Sequence, residues 1–338
     1  MGLVERHCPL TPAKMRLVGH KPVNLVSSDA VSLTAHYYEG VSGGISYLLG
    51  HGFTGSALQD RVRALSERLH EAGATVLALD FRGHGGSSGR STVGVDEVRD
   101  VSAGVAWLRT HRPDAAVVTL GFSMGASVVL RHAAAATAGP AGPAGPAGPA
   151  DAAGAAVAAG PAGAAGAAGA AGAAGAAGDR PDAVIAVSGP GRWYERGTVP
   201  MRRVHLGVET RLGRLALRYA FRTRVGGGWD LLPVSPVEVV GAVDVPLLIV
   251  HGDADPYFGL EHPRMLAASA PAAELWIEPG MGHAETATNA DLLARIHRWA
   301  VSAVSAAGSA AGAAAGSASG SAAGAAAGCS PESGTMAR

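Results

Sequence analysis

The sequence predicts an α/β fold, a mainly parallel β-sheet with helices on both faces. Three observations predict it. Short apolar runs alternate with segments whose apolar residues recur at helical spacing, the rhythm of strand–helix–strand units. The runs are apolar at nearly every position, as strands buried on both faces must be. The third is size: of 338 residues, 139–178 are almost wholly Gly, Ala and Pro and 305–338 mainly Ala, Gly and Ser, which leaves 264, the size of one large domain, placed at 22–304.

Pro22 to Ser27 and Val31 to Tyr38 read as two strands of a hairpin turning at Ser28 and Asp29. Ile45 to Leu49 is the next strand, and Leu58, Val62, Leu65 and Leu69 after it mark a helix. Thr75 to Asp80 follows as a strand, then a helix with Val95, Val98, Val101, Val105 and Leu108 on one face. The strand Ala116 to Phe122 leads into a helix from about Met124 to Ala136. Ala183 to Val187, Pro246 to Val250 and Glu274 to Ile277 complete the strands, and a last helix uses Leu292, Ile296 and Trp299.

The two biased segments are expected to be disordered, because neither offers enough apolar surface to offset its ordering entropy. Residues 139–178 keep a three-residue period like collagen, but Asp151 and Val157 break the glycine register that a triple helix demands. The tail repeats glycine every fourth residue from Gly308 to Gly328, yet Ala, Gly and Ser make a poor membrane span. Near the N-terminus, Glu5, Arg6, Lys14, Arg16 and Lys21 leave no apolar run for a signal peptide, so the expected compartment is the cytoplasm. A formal net charge of zero argues against a general nucleic-acid binder. Cys8 and Cys329 are the only cysteines, too few for a disulfide framework or a cysteine zinc site. No metal or organic cofactor is expected, for the glycine-rich runs lack both the Lys-Ser/Thr of a phosphate loop and a dinucleotide-binding pattern.

In open parallel sheets chemistry belongs at the carboxyl ends of the strands. There stands Gly121-Phe122-Ser123-Met124-Gly125, a G-x-S-x-G between strand and helix. Small residues at Gly121 and Gly125 allow a tight turn that lifts the Ser123 hydroxyl above the sheet at a helix N-terminus, where backbone N–H groups stabilise negative charge. Other strand ends carry His51-Gly52-Phe53-Thr54-Gly55, Asp80-Phe81-Arg82-Gly83-His84-Gly85-Gly86-Ser87, His251-Gly252-Asp253-Ala254-Asp255-Pro256 and Gly280-Met281-Gly282-His283.

Together, in this order from Pro22 to Val304, the five motifs resemble the α/β-hydrolase superfamily, and esterase- or lipase-like serine hydrolases of bacterial type in particular. The resemblance implies a catalytic triad with Ser123 as nucleophile, His283 as general base and then acid, and a carboxylate orienting the imidazole. Asp253 and Asp255 are both near enough in sequence, and the family's G-x-x-D pattern counted from Gly252 favours Asp255. The backbone N–H groups of Phe53 and Met124 are the implied oxyanion hole. His51 and His251 read as groups bonding the backbone at strand ends, His84 as a turn residue, and His262 and His297 as helix-surface residues.

Residues 190–236 fall where this superfamily commonly carries a lid, and the segment is the suspected substrate-binding region. It holds nine arginines against Glu195, Glu209 and Asp230, an excess of six positive charges. Arg211, Arg214, Arg218 and Arg222 recur at helical spacing, while Leu212, Leu215 and Tyr219 share another face. This reads as an amphipathic lid helix with a solvated basic side, or as a face for an anionic substrate, anionic lipid or acidic partner. The resemblance implies cleavage of a small-molecule carboxylic ester. A thioesterase, a proline-type aminopeptidase and a non-catalytic binding protein on the same fold stay open, because fold does not fix substrate.

Overall fold

The computed structural model describes residues 19–137, 178–193, 195–227, 229 and 233–324. Residues 139–177 of the low-complexity insertion and 325–338 of the tail lie outside the described residues. The first two strands, β1 (Lys21–Val26) and β2 (Ser32–Tyr38), form the expected antiparallel hairpin. Then come β3 (Ile45–Gly50), α1 (Asp60–Glu71), β4 (Thr75–Leu79), α2 (Glu97–His111), β5 (Ala116–Phe122) and α3 (Met124–Thr137). Past the insertion follow β6 (Ala183–Val187), α4 (Val199–Glu209), α5 (Arg211–Ala220), α6 (Pro236–Val239) and β7 (Leu247–Gly252). The chain continues through α7 (Glu261–Ser269), β8 (Glu274–Glu278), α8 (Ala284–Ala287) and α9 (Ala290–Gly324).

The eight strands form one sheet in the order β1-β2-β4-β3-β5-β6-β7-β8, antiparallel at β1–β2 and β2–β4 and parallel in every other pair. Alternation along the strands divides the core in two. Leu48, Val117, Val184, Ala186 and Ile249 face the layer of α2, α3 and α7, where Val101, Val105, Val128 and Leu266 are buried. Their neighbours Tyr47, Leu49, Val118, Ile185 and Val250 face α1 and α9, with Val62, Leu65, Leu292 and Ile296. A strand buried on both sides has no polar alternation to show, which is why these strands read as unbroken apolar runs.

Arg82 holds the turn after β4. Its guanidinium is buried between Asp29, at 2.7 and 3.0 Å, and Asp100, at 2.7 and 3.0 Å, while the backbone N–H of Arg82 also donates to Asp100 at 2.8 Å. Asp80 accepts from the N–H groups of Ala57 at 2.7 Å and Gly86 at 2.8 Å, tying that turn to the loop after β3. The D-x-R-G-x-G-x-S motif therefore acts as a clamp on the loops around the site.

Three features differ from the sequence reading. The segment 305–324, expected to be disordered, continues α9 as helix to Gly324. Its alanine content carries strong helix propensity, and the helix is already nucleated on the core through Leu292, Leu293, Ile296 and Ala300. His262, expected on a helix surface, is fully buried, and its Nδ1 accepts from the Gly191 N–H at 3.0 Å. His297, expected to be exposed, is half-buried against Tyr47, with the Tyr47 hydroxyl 3.0 Å from its Nδ1.

Candidate active site

The sharp turn between β5 and α3 gives the site its geometry. Ser123 occupies the left-handed region with φ of 51°, a conformation that side chains other than glycine adopt only under constraint. Close packing supplies the constraint. A Cβ on Gly125 would stand 2.5 Å from the carbonyl oxygen of Gly50 and 2.8 Å from that of His51, and one on Gly121 would collide with the Gly125 carbonyl. The Ser123 N–H donates to the Val187 carbonyl of the neighbouring strand at 2.9 Å, which anchors the turn to the sheet.

His283 precedes the short helix α8, on the loop after β8, and reaches across to this serine. Its Nε2 lies 2.8 Å from Ser123 Oγ, and its Nδ1 lies 2.7 Å from Asp255 Oδ2. The Asp255 side chain is fully buried on the loop after β7, and its Oδ1 accepts from the N–H groups of Tyr257 at 2.8 Å and Phe258 at 3.2 Å. His251 Nε2 sits 3.7 Å from Asp255 Oδ2, but it is 3.0 Å from the Phe258 carbonyl and so donates there. Burial lowers the His251 pKa and keeps the ring neutral beside the carboxylate. Asp253 serves the loop instead. Its Oδ1 accepts from the Gly280 N–H at 2.6 Å and braces the segment that carries His283.

Ser123, His283, Phe53 and Met124 all line one cavity of about 300 Å³. The loop after β3 packs directly on the serine, since a Cβ on Gly52 would lie 3.3 Å from Ser123 Cβ. The N–H groups of Phe53 and Met124 have no acceptor among the described residues, and Met124 opens α3, where the helix dipole is positive. His51 and His84 lie behind this loop. His51 Nδ1 is 2.8 Å from the Gly52 carbonyl, and His84 is buried with its pKa pushed down to about 3, chiefly by desolvation. Among the described residues, no group of three or more His, Cys, Asp or Glu side chains is placed to hold a metal ion.

Three residues of the site escaped the sequence reading. Tyr257 stacks on the His283 ring at 4.1 Å between centroids and 26° between planes, covering the imidazole from one side. Buried Ser188 accepts from the Ala284 N–H at 3.0 Å and fixes the backbone beside His283. Glu285 lines the cavity, and its Oε1 accepts from the Gly52 N–H at 3.3 Å, joining the histidine loop to the loop of Phe53. Tyr257 follows Asp255 by two positions, so the sequence offered a cue. Ser188 and Glu285 act on residues far along the chain and offered none.

Residues of the 190–236 segment form one side of the cavity. Trp193, Met201 and Val204, together with Phe221 and Trp229, line its apolar wall. The expected helix at Arg211 is α5, packed on α4 where Gly213 approaches the Leu206 carbonyl too closely for any side chain. Its Leu212, Leu215 and Tyr219 do not pack inward as an amphipathic pattern implies; α5 buries none of its own residues.

Comparison with known proteins adds an independent line. A family model described as the alpha/beta hydrolase family matches residues 47–296. The esterase Pf2001 of Pyrococcus furiosus superposes with a TM-score of 0.57 at 21% identity, covering 83% of this chain and 91% of that one. Est1E of Butyrivibrio proteoclasticus, solved with ferulic acid bound, gives a TM-score of 0.52 at 18% identity, covering 83% of this chain and 99% of its own. At such identities the likeness concerns the fold. An uncharacterized protein of Rickettsia prowazekii (strain Madrid E) is 44% identical over 64 residues, which are 19% of this chain and 27% of that relative.

Proposed function

The chain belongs to the alpha/beta hydrolase family, and we propose that it is a serine hydrolase that cleaves carboxylic esters through an acyl-enzyme intermediate. One observation carries this reading: the hydrogen-bonded sequence Ser123 Oγ, His283 Nε2, His283 Nδ1, Asp255 Oδ2, with links of 2.8 and 2.7 Å, at the floor of an apolar cavity.

Asp255 accepts a hydrogen bond from the Nδ1–H of His283, which leaves Nε2 free to take the proton of Ser123 as Oγ attacks the ester carbonyl. The carbonyl oxygen becomes an oxyanion and is met by the N–H groups of Phe53 and Met124. Collapse breaks the ester C–O bond, and the His283 imidazolium gives its proton to the departing alcohol. Water then repeats the sequence on the acyl-serine, releasing the acid and restoring Ser123. The apolar wall of the cavity suits an acyl chain or an aromatic acid.

A second reading has one observation behind it. The Glu285 carboxylate on the cavity wall is a natural acceptor for a protonated amine, as in an aminoacyl amide substrate. Fluorophosphonate labelling of the wild type and of Ser123→Ala tests the shared chemistry, with labelling expected only in the former. Turnover across p-nitrophenyl esters, thioesters and aminoacyl amides then separates the readings. Wild-type protein that is folded but neither labelled nor active would overturn both.

A further inference from the structure

Most of the large apolar side chains that the described residues expose lie in one short stretch of the lid. Val199, Leu206, Leu212, Leu215, Tyr219 and Phe221 belong to α4, α5 and the residue after them, with exposures from 49% at Leu215 to 79% at Leu212. The other four, Val26, Val41, Leu58 and Val301, are scattered along the chain. Single exposed apolar residues are ordinary, whereas a run along two packed helices marks an interaction surface.

Cations are interleaved with this apolar run. Arg203, Arg211, Arg218 and Arg222 are exposed and have no ion-pair partner among the described residues. Other cations of this segment are committed within the protein. Arg214 donates to the Val208 carbonyl at 2.8 Å, Arg196 pairs with Glu209, and Arg224 donates to the Ser87 carbonyl. Glu195 is also occupied, accepting from the Gly197 N–H at 2.6 Å. What remains facing outward is therefore apolar and positive.

That combination selects its occupant. A nucleic acid would neutralise the arginines but leave Leu212, Leu215 and Tyr219 against a charged backbone. A protein partner would have to match an apolar stripe and four guanidinium groups in one register. The surface of a bilayer containing anionic lipid accepts both without register: apolar side chains enter below the headgroups, and arginines stay level with the phosphates. We propose that the outer face of α4 and α5 docks this protein on anionic lipid membranes. The inner side of α4 lines the cavity through Met201 and Val204, so docking holds the mouth of the candidate active site close to the lipid surface. The docking stands apart from the ester reading, because it is measured without turnover.

The experiment uses the full chain in cosedimentation with vesicles of phosphatidylcholine, alone or mixed with phosphatidylglycerol. Binding is expected to the mixed vesicles at low salt and to be far weaker to phosphatidylcholine alone. Each arginine near an anionic leaflet contributes about fivefold to partitioning, so Arg203→Gln/Arg211→Gln/Arg218→Gln should bind roughly a hundredfold more weakly. Leu212→Ser/Leu215→Ser/Tyr219→Ser should lose about tenfold or more, and this loss should persist when salt has screened the charges. Both variants should melt with the wild type, since every substituted side chain on α4 and α5 is exposed. No partitioning onto anionic vesicles overturns the proposal, as does partitioning that neither variant weakens. Binding to heparin that survives the leucine and tyrosine substitutions, with no vesicle binding, identifies a charge-only surface and overturns it as well.

Discussion

Replacing Asp255 by Asn tests the orienting carboxylate, and the structure sets the size of the effect. In the protein, Oδ1 accepts from the N–H groups of Tyr257 and Phe258, and Oδ2 faces His283 Nδ1 at 2.7 Å. Asparagine has one acceptor oxygen and one donor nitrogen to offer these positions. If its oxygen stays on the two N–H groups, its amide donates to Nδ1 and forces the proton of His283 onto Nε2. That nitrogen then faces Ser123 as a donor and cannot accept its proton. The flipped amide restores the productive tautomer but leaves two N–H groups confronting a third donor, in a place where the side chain has no exposure to water. Each unmade buried bond costs about 1–3 kcal/mol, so the productive arrangement lies about 2–6 kcal/mol uphill, a loss of roughly 30-fold to 25,000-fold in kcat. Asp253→Asn keeps an oxygen for the Gly280 N–H and should change kcat by less than about threefold. The assay is steady-state hydrolysis of a short p-nitrophenyl ester by both variants, with melting curves to confirm folding. Folded Asp255→Asn retaining wild-type kcat, or a larger loss in Asp253→Asn, would refute the reasoning.

Glu285→Gln preserves an acceptor for the Gly52 N–H and should hold ester turnover within about threefold, whereas Glu285→Ala frees the loop of Phe53 and should lower kcat about tenfold or more; equal losses in both would show that charge, not the hydrogen bond, matters. Acidification should destabilise the fold. Burial lowers the pKa of His84 to about 3, and of His36, His251, His262 and His297 in the same direction, so the unfolded chain binds protons near pH 6.5 that the folded chain refuses. Stability is then fully present above pH 6.5 and falls as pH drops toward 3, by up to about 5 kcal/mol from His84 alone, and a melting temperature unchanged from pH 7 to pH 4 would contradict it. Truncation after Gly308 keeps Leu292, Ile296, Trp299 and Val304, which pack on the core, and should shift the melting temperature by less than about 2 °C.

Much of this architecture was legible because both faces of the sheet are covered. The sequence limits of Ala116–Phe122 and Ala183–Val187 agree with β5 and β6, since every residue there meets a helix layer and no polar alternation blurs the pattern. The loops at the strand ends were legible for another reason. A glycine such as Gly125, with two carbonyl oxygens where its Cβ would go, leaves a mark in sequence that packing of ordinary side chains does not. Contacts between distant segments leave none. Glu285 meets Gly52, and Ser188 meets Ala284, by virtue of the strand order, which no local pattern records.

The histidines and the lid show where local pattern misleads. His262 follows Glu261 at the start of α7 and has the sequence surroundings of a surface residue, yet that turn packs against the loop at Gly191 and buries the ring. In the lid, helical spacing separates Leu212, Leu215 and Tyr219 from the arginines correctly but says nothing about which side meets the body of the protein. The glycines decide it. Gly213 and Gly207 let α5 lie close on α4, with Leu217 filling the contact beside Gly207, and this rotates the leucine and tyrosine face outward. An amphipathic period is thus a statement about two faces, and only tertiary contact assigns one of them to water. Here both are assigned to it, leaving apolar area uncovered that burial would stabilise by about 25 cal/mol per Å². Beside it stand Arg211, Arg218 and Arg222, which have no ion-pair partner among the described residues, so the uncovered area and the free charge share one surface, the one the vesicle experiment probes.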